Sequence, residues 1–133
     1  MKKVIGIGVI LQTSNATFLF QERDSNTHLH PGRIAAFGGG IEDSETVYEC
    51  ALREMYEELK LTLEANQLES IGEFESRNEP NMYIQMFLTK NVDLAKLTLQ
   101  EGRRIRELSM EEALHHENVT DFTKEVLTFV QKM

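Results

Sequence analysis

The sequence predicts an α/β fold in which a central mixed β-sheet is sandwiched between helices. Apolar runs of strand length stand both before and after one long, uninterrupted amphipathic segment, residues 46–59. Two further segments with helix-capping signals lie late in the chain. A length of 133 residues suits one domain with a real core, so residues 1–133 are read as a single domain.

Residues 4–11, Val-Ile-Gly-Ile-Gly-Val-Ile-Leu, read as a strand, and residues 17–22 as its hairpin partner across a turn on Ser14-Asn15, with Arg23 closing it. Residues 24–33 are polar, carry the turn signal Pro31-Gly32, and read as a loop. His28 and His30 in that loop lack a third soft ligand, which makes them a weak metal pair. Residues 34–37 form a short strand that delivers the chain to Gly38-Gly39-Gly40, where bare backbone can approach a ligand closely.

Thr46 and Glu49 form a capping box that starts the central helix, and no Pro or Gly follows until Gly72. At roughly 100° per residue, Val47, Tyr48, Ala51, Leu52, Met55 and Leu59 fall in one arc, the expected buried face. Residues 68–76 and 82–89 make a second hairpin, with Tyr83, Met86 and Phe87 as core candidates. Residues 91–100 read as a loop and 101–108 as a strand. Ser109 and Glu112 cap a short helix reaching His115, and Thr120 opens a last helix striped by Phe122, Val126, Phe129 and Val130.

The formal charge of −8 argues against a nucleic-acid groove, which needs clustered Lys and Arg, but leaves room for polyphosphates bridged by metal ions. The apolar run at residues 4–11 is too short to span a membrane and lacks a small-residue cleavage site. Cys50 is the only cysteine, which rules out an internal disulfide and suits a small core filler. A soluble cytoplasmic protein is expected, and a homodimer is compatible with this composition.

Glu54, Glu57 and Glu58 line one edge of the apolar stripe of the central helix. Each like-charged pair three or four residues apart costs roughly 0.2–0.5 kcal/mol on an exposed helix, so compensation is expected. Arg53 stands four residues from both Glu49 and Glu57 and supplies part of it. A hard divalent cation, Mg2+ or Mn2+, suits the remaining oxygen donors better than zinc, because no His or Cys stands at helical spacing among them. The other reading of the same acids is a solvated face in a Glu-rich chain.

The spacing of Gly39, five residues, Glu45, seven residues, Arg53-Glu54, an apolar residue, any residue, and Glu57-Glu58 resembles the Nudix box of the Nudix hydrolases. Lys60 replaces the Gly that normally ends the helix, although Leu61 keeps the apolar residue after it, and Phe37 replaces the usual Pro. Lys60 must then turn left-handed or end the helix in another way.

The resemblance implies a Nudix-type α/β/α sandwich and hydrolysis of a pyrophosphate bond in a nucleoside diphosphate linked to another moiety. It implies Glu57 and Glu58 as principal ligands of Mg2+ or Mn2+, with the Gly38 carbonyl as a third and Glu101, from a late loop, as a further carboxylate. Glu54 takes a proton from the attacking water or holds a second ion, and either Glu54 or Glu101 is the base. Arg53 orients the carboxylates, and Glu45 braces the loop against the helix. Arg23, Gly39, Arg103 and Arg104 are the candidates for contact with the substrate and its phosphates. The alternative function is a domain of this fold that senses a nucleotide without cleaving it.

Overall fold

The computed structural model describes residues 2–23, 32–100 and 103–133, with Arg103 described by its backbone alone. The strands are β1 (Lys3–Gln12), β2 (Phe18–Arg23), β3 (Ile34–Ala35), β4 (Phe37–Gly40), β5 (Glu69–Glu75), β6 (Met82–Thr89) and β7 (Arg103–Leu108). The helices are α1 (Val47–Leu59), α2 (Met110–His115) and α3 (Asp121–Gln131). Among the described residues all seven strands join one mixed sheet.

β1 organises the sheet. Along one edge it pairs in parallel with β6, from Lys3 opposite Met82 to Leu11 opposite Thr89. Along the other edge it is shared: Leu11 and Gln12 pair with β2, whereas Gly6 to Val9 pair antiparallel with β4. β2 carries β3 on one side and β7 on the other, and β5 closes the sheet beyond β6.

Period-two alternation sends successive residues of these strands into two cores. Ile7, Val9 and Leu11 of β1, Leu19 of β2 and Phe87 of β6 pack under α1 with Ala51, Met55 and Leu59. Ile10, Phe18, Phe20, Met86 and Leu88 face the other way and pack with Ala113 of α2 and Val126 and Leu127 of α3. This is the expected sandwich. Among the described residues, no helix is long and apolar enough to cross a membrane.

Three local expectations are revised. The strand read at residues 34–37 is two strands, because β1 and β2 diverge beyond their short contact and the chain steps from one to the other at Ala36. The three glycines lie within β4 rather than beyond the end of a strand, and a Cβ on Gly38 would overlap the Ile7 carbonyl of β1. The buried line of α3 is Thr123, Val126 and Leu127, whereas Phe129 is 48% exposed and rests edge-on against Phe74.

Helix α1 starts as expected: Thr46 Oγ1 accepts the Glu49 N–H at 3.1 Å while Glu49 Oε1 accepts the Thr46 N–H at 2.8 Å. On its buried side Ala51, Met55 and Leu59 are enclosed, joined by Cys50. Tyr48 remains 38% exposed, with its ring 4.9 Å from that of Phe87. Lys60 adopts the left-handed conformation, φ 54° and ψ 27°. Its N–H bonds to the Tyr56 carbonyl at 2.9 Å and the Leu61 N–H to the Met55 carbonyl at 3.3 Å, the paired closure typical of a glycine.

A left-handed non-glycine residue costs about 1–2 kcal/mol, and the Lys60 ammonium recovers only part of that, about 0.5 kcal/mol, from its position 4.9 Å from the Tyr56 ring. Lys60→Gly is therefore expected to stabilise the fold by about 0.5 kcal/mol or more. Urea unfolding measures this directly, and a lower midpoint for the variant would show that the strain is relieved elsewhere.

Candidate active site

The site is built where α1 lies against β4. Arg53 Nε and Nη2 grip Glu45 in a fork, at 2.7 and 3.0 Å, and Nη1 donates to Glu54 and Glu57, both at 2.9 Å. Nη2 also donates to the Gly40 carbonyl at 3.1 Å. One guanidinium thus ties together the end of the glycine strand, the turn before the helix and two helix carboxylates. The pairing of Arg53 with Glu49 expected from spacing does not form. Glu49 sits at the third helical position, where the capping box has already taken its carboxylate, a conflict visible in the sequence.

Glu45 spans loop and helix, accepting the Glu42 N–H at 2.9 Å besides its two bonds from Arg53. The Arg53 hydrogen bonds, then that N–H, hold its carboxyl far below the usual range, at about 2. The same carboxylates push the Arg53 guanidinium up, so it stays charged. Cys50 lies beneath with its thiol 3.4 Å from the Gly40 carbonyl. Burial, reinforced by the Glu45 charge, pushes that thiol up to about 12, so it is no nucleophile.

The three helix acids occupy three depths. Glu58 is buried, at 6% exposure, Glu54 keeps 15% of its side chain exposed, and Glu57 stands at the rim with 49%. Glu54 presses its carboxyl onto the α-carbon of Gly39, where any Cβ would overlap it. Only glycine allows that approach. The Glu58 carbonyl accepts the Gln100 N–H at 3.2 Å, which leads the chain preceding Glu101 back to the helix end. Glu101 itself, with Gly102, lies outside the described residues, as do His28 and His30.

No three His, Cys, Asp or Glu side chains converge tightly enough to enclose an ion by themselves among the described residues. The donors nonetheless fit a small hard cation. Such an ion keeps several waters and takes only one or two carboxylates besides substrate oxygens, and here carboxylates of graded exposure stand beside backbone stripped of side chains.

Beside Gly38 a cavity of about 200 Å³ opens in the gap between diverging β1 and β2, lined by Gln21, Ile84, Met86 and Phe122 among others. Gln21 Nε2 donates to the Ala36 carbonyl at 3.1 Å, leaving Oε1 buried without a hydrogen-bond partner among the described residues. Nothing in the local sequence marks Gln21, because its burial follows from the strand divergence. The arginines separate by strand register. Arg23 stands opposite Arg103, but Arg104 stands opposite Glu22 and pairs with it at 2.9 Å, alongside Arg106. Burial alone would raise the Glu22 carboxyl, but the bonds from Arg106 and Arg104 outweigh it and hold it below its usual range. Arg104, expected at substrate phosphate, is thus held by a carboxylate.

A profile described as the NUDIX domain matches residues 2–129. The bovine protein named m7GpppN-mRNA hydrolase NUDT17 is 34% identical over 80 residues, 59% of this chain and 26% of that protein, so the match spans about a quarter of that relative's length. A MutT NUDIX hydrolase from Burkholderia pseudomallei superposes with a TM-score of 0.77 at 18% identity, covering 98% of each chain. A bifunctional NMN adenylyltransferase/ADP ribose pyrophosphatase from Francisella tularensis superposes with a TM-score of 0.74 at 16% identity, over 99% of this chain and 42% of that one.

The depressed Glu45 carboxyl has a consequence for stability. A carboxyl that titrates lower when folded stabilises the native state above its unfolded value of 4.5, and that stabilisation is lost as pH falls towards about 2. Glu45→Gln is therefore expected to be less stable than wild type at pH 7, with the difference shrinking between pH 4.5 and 2. Unfolding midpoints measured across that range test it, and a pH-independent difference would contradict the ion-pair origin.

Proposed function

This chain belongs to the NUDIX domain family, and on that premise we propose that it is a hydrolase that cleaves the pyrophosphate bond of a nucleoside diphosphate linked to another moiety, dependent on Mg2+ or Mn2+. The observation that carries this reading is the contact between the Glu54 carboxyl and bare Gly39, with Glu57 and Glu58 on the same helix end. A bond of this kind resists attack because phosphoryl oxygens repel a nucleophile, and a divalent ion supplies the positive charge that masks them.

Glu57 and Glu58, with the Gly38 carbonyl, are the proposed ligands, and Glu101 is a further one by its place in the sequence. Glu54 lies against the glycine strand, and we assign it either the proton of the attacking water or a second ion; Glu101 is the other candidate base. Arg53 positions rather than reacts, because all its donors are committed to Glu45, Glu54, Glu57 and the Gly40 carbonyl. The cavity beside Gly38 has apolar walls suited to a nucleoside, while Arg23 and Arg103, paired in register, are the proposed phosphate contacts. The manganese ion and AMP named with the Francisella structure, and the capped mRNA named with the bovine relative, fit this substrate class. Soluble cytoplasmic action as a monomer or homodimer completes the reading.

Two substitutions test it. Glu57→Gln is expected to abolish Mg2+-dependent turnover of diphosphate-linked nucleotides while leaving the unfolding midpoint near wild type; undiminished turnover would refute the ligand assignment. Gly39→Ala displaces the Glu54 carboxyl, and a misplacement on the order of 1 Å costs about 10²-fold in rate. Retention of full activity in that variant would show that the contact with Glu54 is incidental. Nucleotide binding with no release of product by wild type would favour the sensing alternative.

A further inference from the structure

We propose that Arg33, beside Arg23, forms an anion subsite for a part of the substrate beyond the diphosphate being cleaved, so that the enzyme favours substrates with a third phosphate or a phosphorylated linked group over those ending in an uncharged sugar. The proposal rests on the function proposed above for its link to a substrate. The two arginines are placed together by strand register. Ile34 packs into the α2 and α3 core, so its neighbours Arg33 and Ala35 turn to the other face, the side of α1. Leu19 and Ile105 pack on that same face, and Gln21 and Arg23 continue the row along β2. The Arg23 N–H donates to the Arg33 carbonyl at 3.0 Å, which sets the two residues across from each other.

Charge then separates this pair from the other arginines whose side chains are described. Arg53, Arg77, Arg104 and Arg106 each hold a glutamate within 2.9 Å. No carboxylate stands at ion-pair distance from Arg23 or Arg33 among the described residues, although the chain carries 22 acids against 14 Lys and Arg. Like charges directly across neighbouring strands destabilise a sheet. In addition, Arg33 Nε is buried and lacks a hydrogen-bond partner among the described residues, in an interior where such donors are normally satisfied. A phosphate between the two guanidinium groups would resolve both, since the planar fork of arginine matches its oxygens.

Position sets which phosphate this is. Gln21 and Ala35, opposite each other in register, line the cavity beside Gly38, and Arg23 with Arg33 is the next pair of the same parity along these strands. From Arg33 to Gly38 the chain runs five residues, at most about 18 Å when extended. The arginine pair is therefore within reach of a group attached to a diphosphate held at the glycine strand.

The test uses the whole chain as wild type, Arg33→Ala, Arg33→Lys and, as a control on a distant ion pair, Arg77→Ala. Calorimetry with inorganic tripolyphosphate in the presence of EDTA reads the subsite without the metal or the reaction. Arg33→Ala is expected to weaken binding about tenfold, Arg33→Lys less, and Arg77→Ala not at all. With Mg2+, Arg33→Ala should lower kcat/KM for a nucleoside triphosphate more than for the corresponding diphosphate. Unchanged tripolyphosphate binding, or an equal loss on both nucleotides, overturns the proposal. Should Arg33→Ala fail to fold, the same comparisons made with Arg33→Lys decide it. If wild type cleaves neither nucleotide while tripolyphosphate binding still depends on Arg33, the hydrolase reading fails and the subsite stands.

Discussion

The arrangement at the helix end depends on a single guanidinium. Arg53 bonds at once to Glu45, Glu54, Glu57 and the Gly40 carbonyl, groups contributed by a turn, a helix and a strand. Without it, Glu45, Glu54, Glu57 and Glu58, crowded into this corner, would repel each other, and the glycine strand would be held to α1 by packing and the weak Cys50 thiol contact with the Gly40 carbonyl. Because the neighbouring carboxylates push the guanidinium up and keep it charged, the arrangement does not loosen near neutrality. The carboxylates are thereby positioned in advance of any ligand, which is what electrostatic catalysis requires.

The second constraint is steric. β4 lies against β1 so closely that Gly38 has no room for a side chain, and its neighbour Gly39 gives the corresponding space on the helix side to the Glu54 carboxyl. A strand would ordinarily be weakened by consecutive glycines. Here they let backbone and carboxylate share a space that a methyl group would fill, and the pairing with Gly6 to Val9 of β1 restores the order that glycine forfeits.

Much of this could be read from the chain. The capping signals at Thr46, Ser109 and Thr120 each mark a helix start in the structure, because a side-chain cap is a local interaction fixed by neighbouring residues. The β5–β6 hairpin was legible for the same reason. What alternation could not show was the split of residues 34–40 into two strands on different partners, since divergence of β1 from β2 is a property of the whole sheet. The exposure of Phe129 was hidden likewise, because it depends on where Phe74 lies across the sheet edge. At the site, the spacing of Glu54, Glu57 and Glu58 was plain, but their burial was not. Helical angles place residues around an axis and are silent on how deeply the facing strands cover them. The separation of Arg104 from Arg23 needed the register of β7 on β2.

The double engagement of β1 bears on how this molecule assembles. Its partner β4 is near in sequence, but the parallel partner β6 lies on the far side of the central helix, with Lys3 meeting Met82. Such distant pairings form late, because a long loop must close before they yield anything. The platform of β1, β4 and α1 consists of near neighbours, so the corner that bears the chemistry can take shape early, and the remote strands then lock a nascent centre in place.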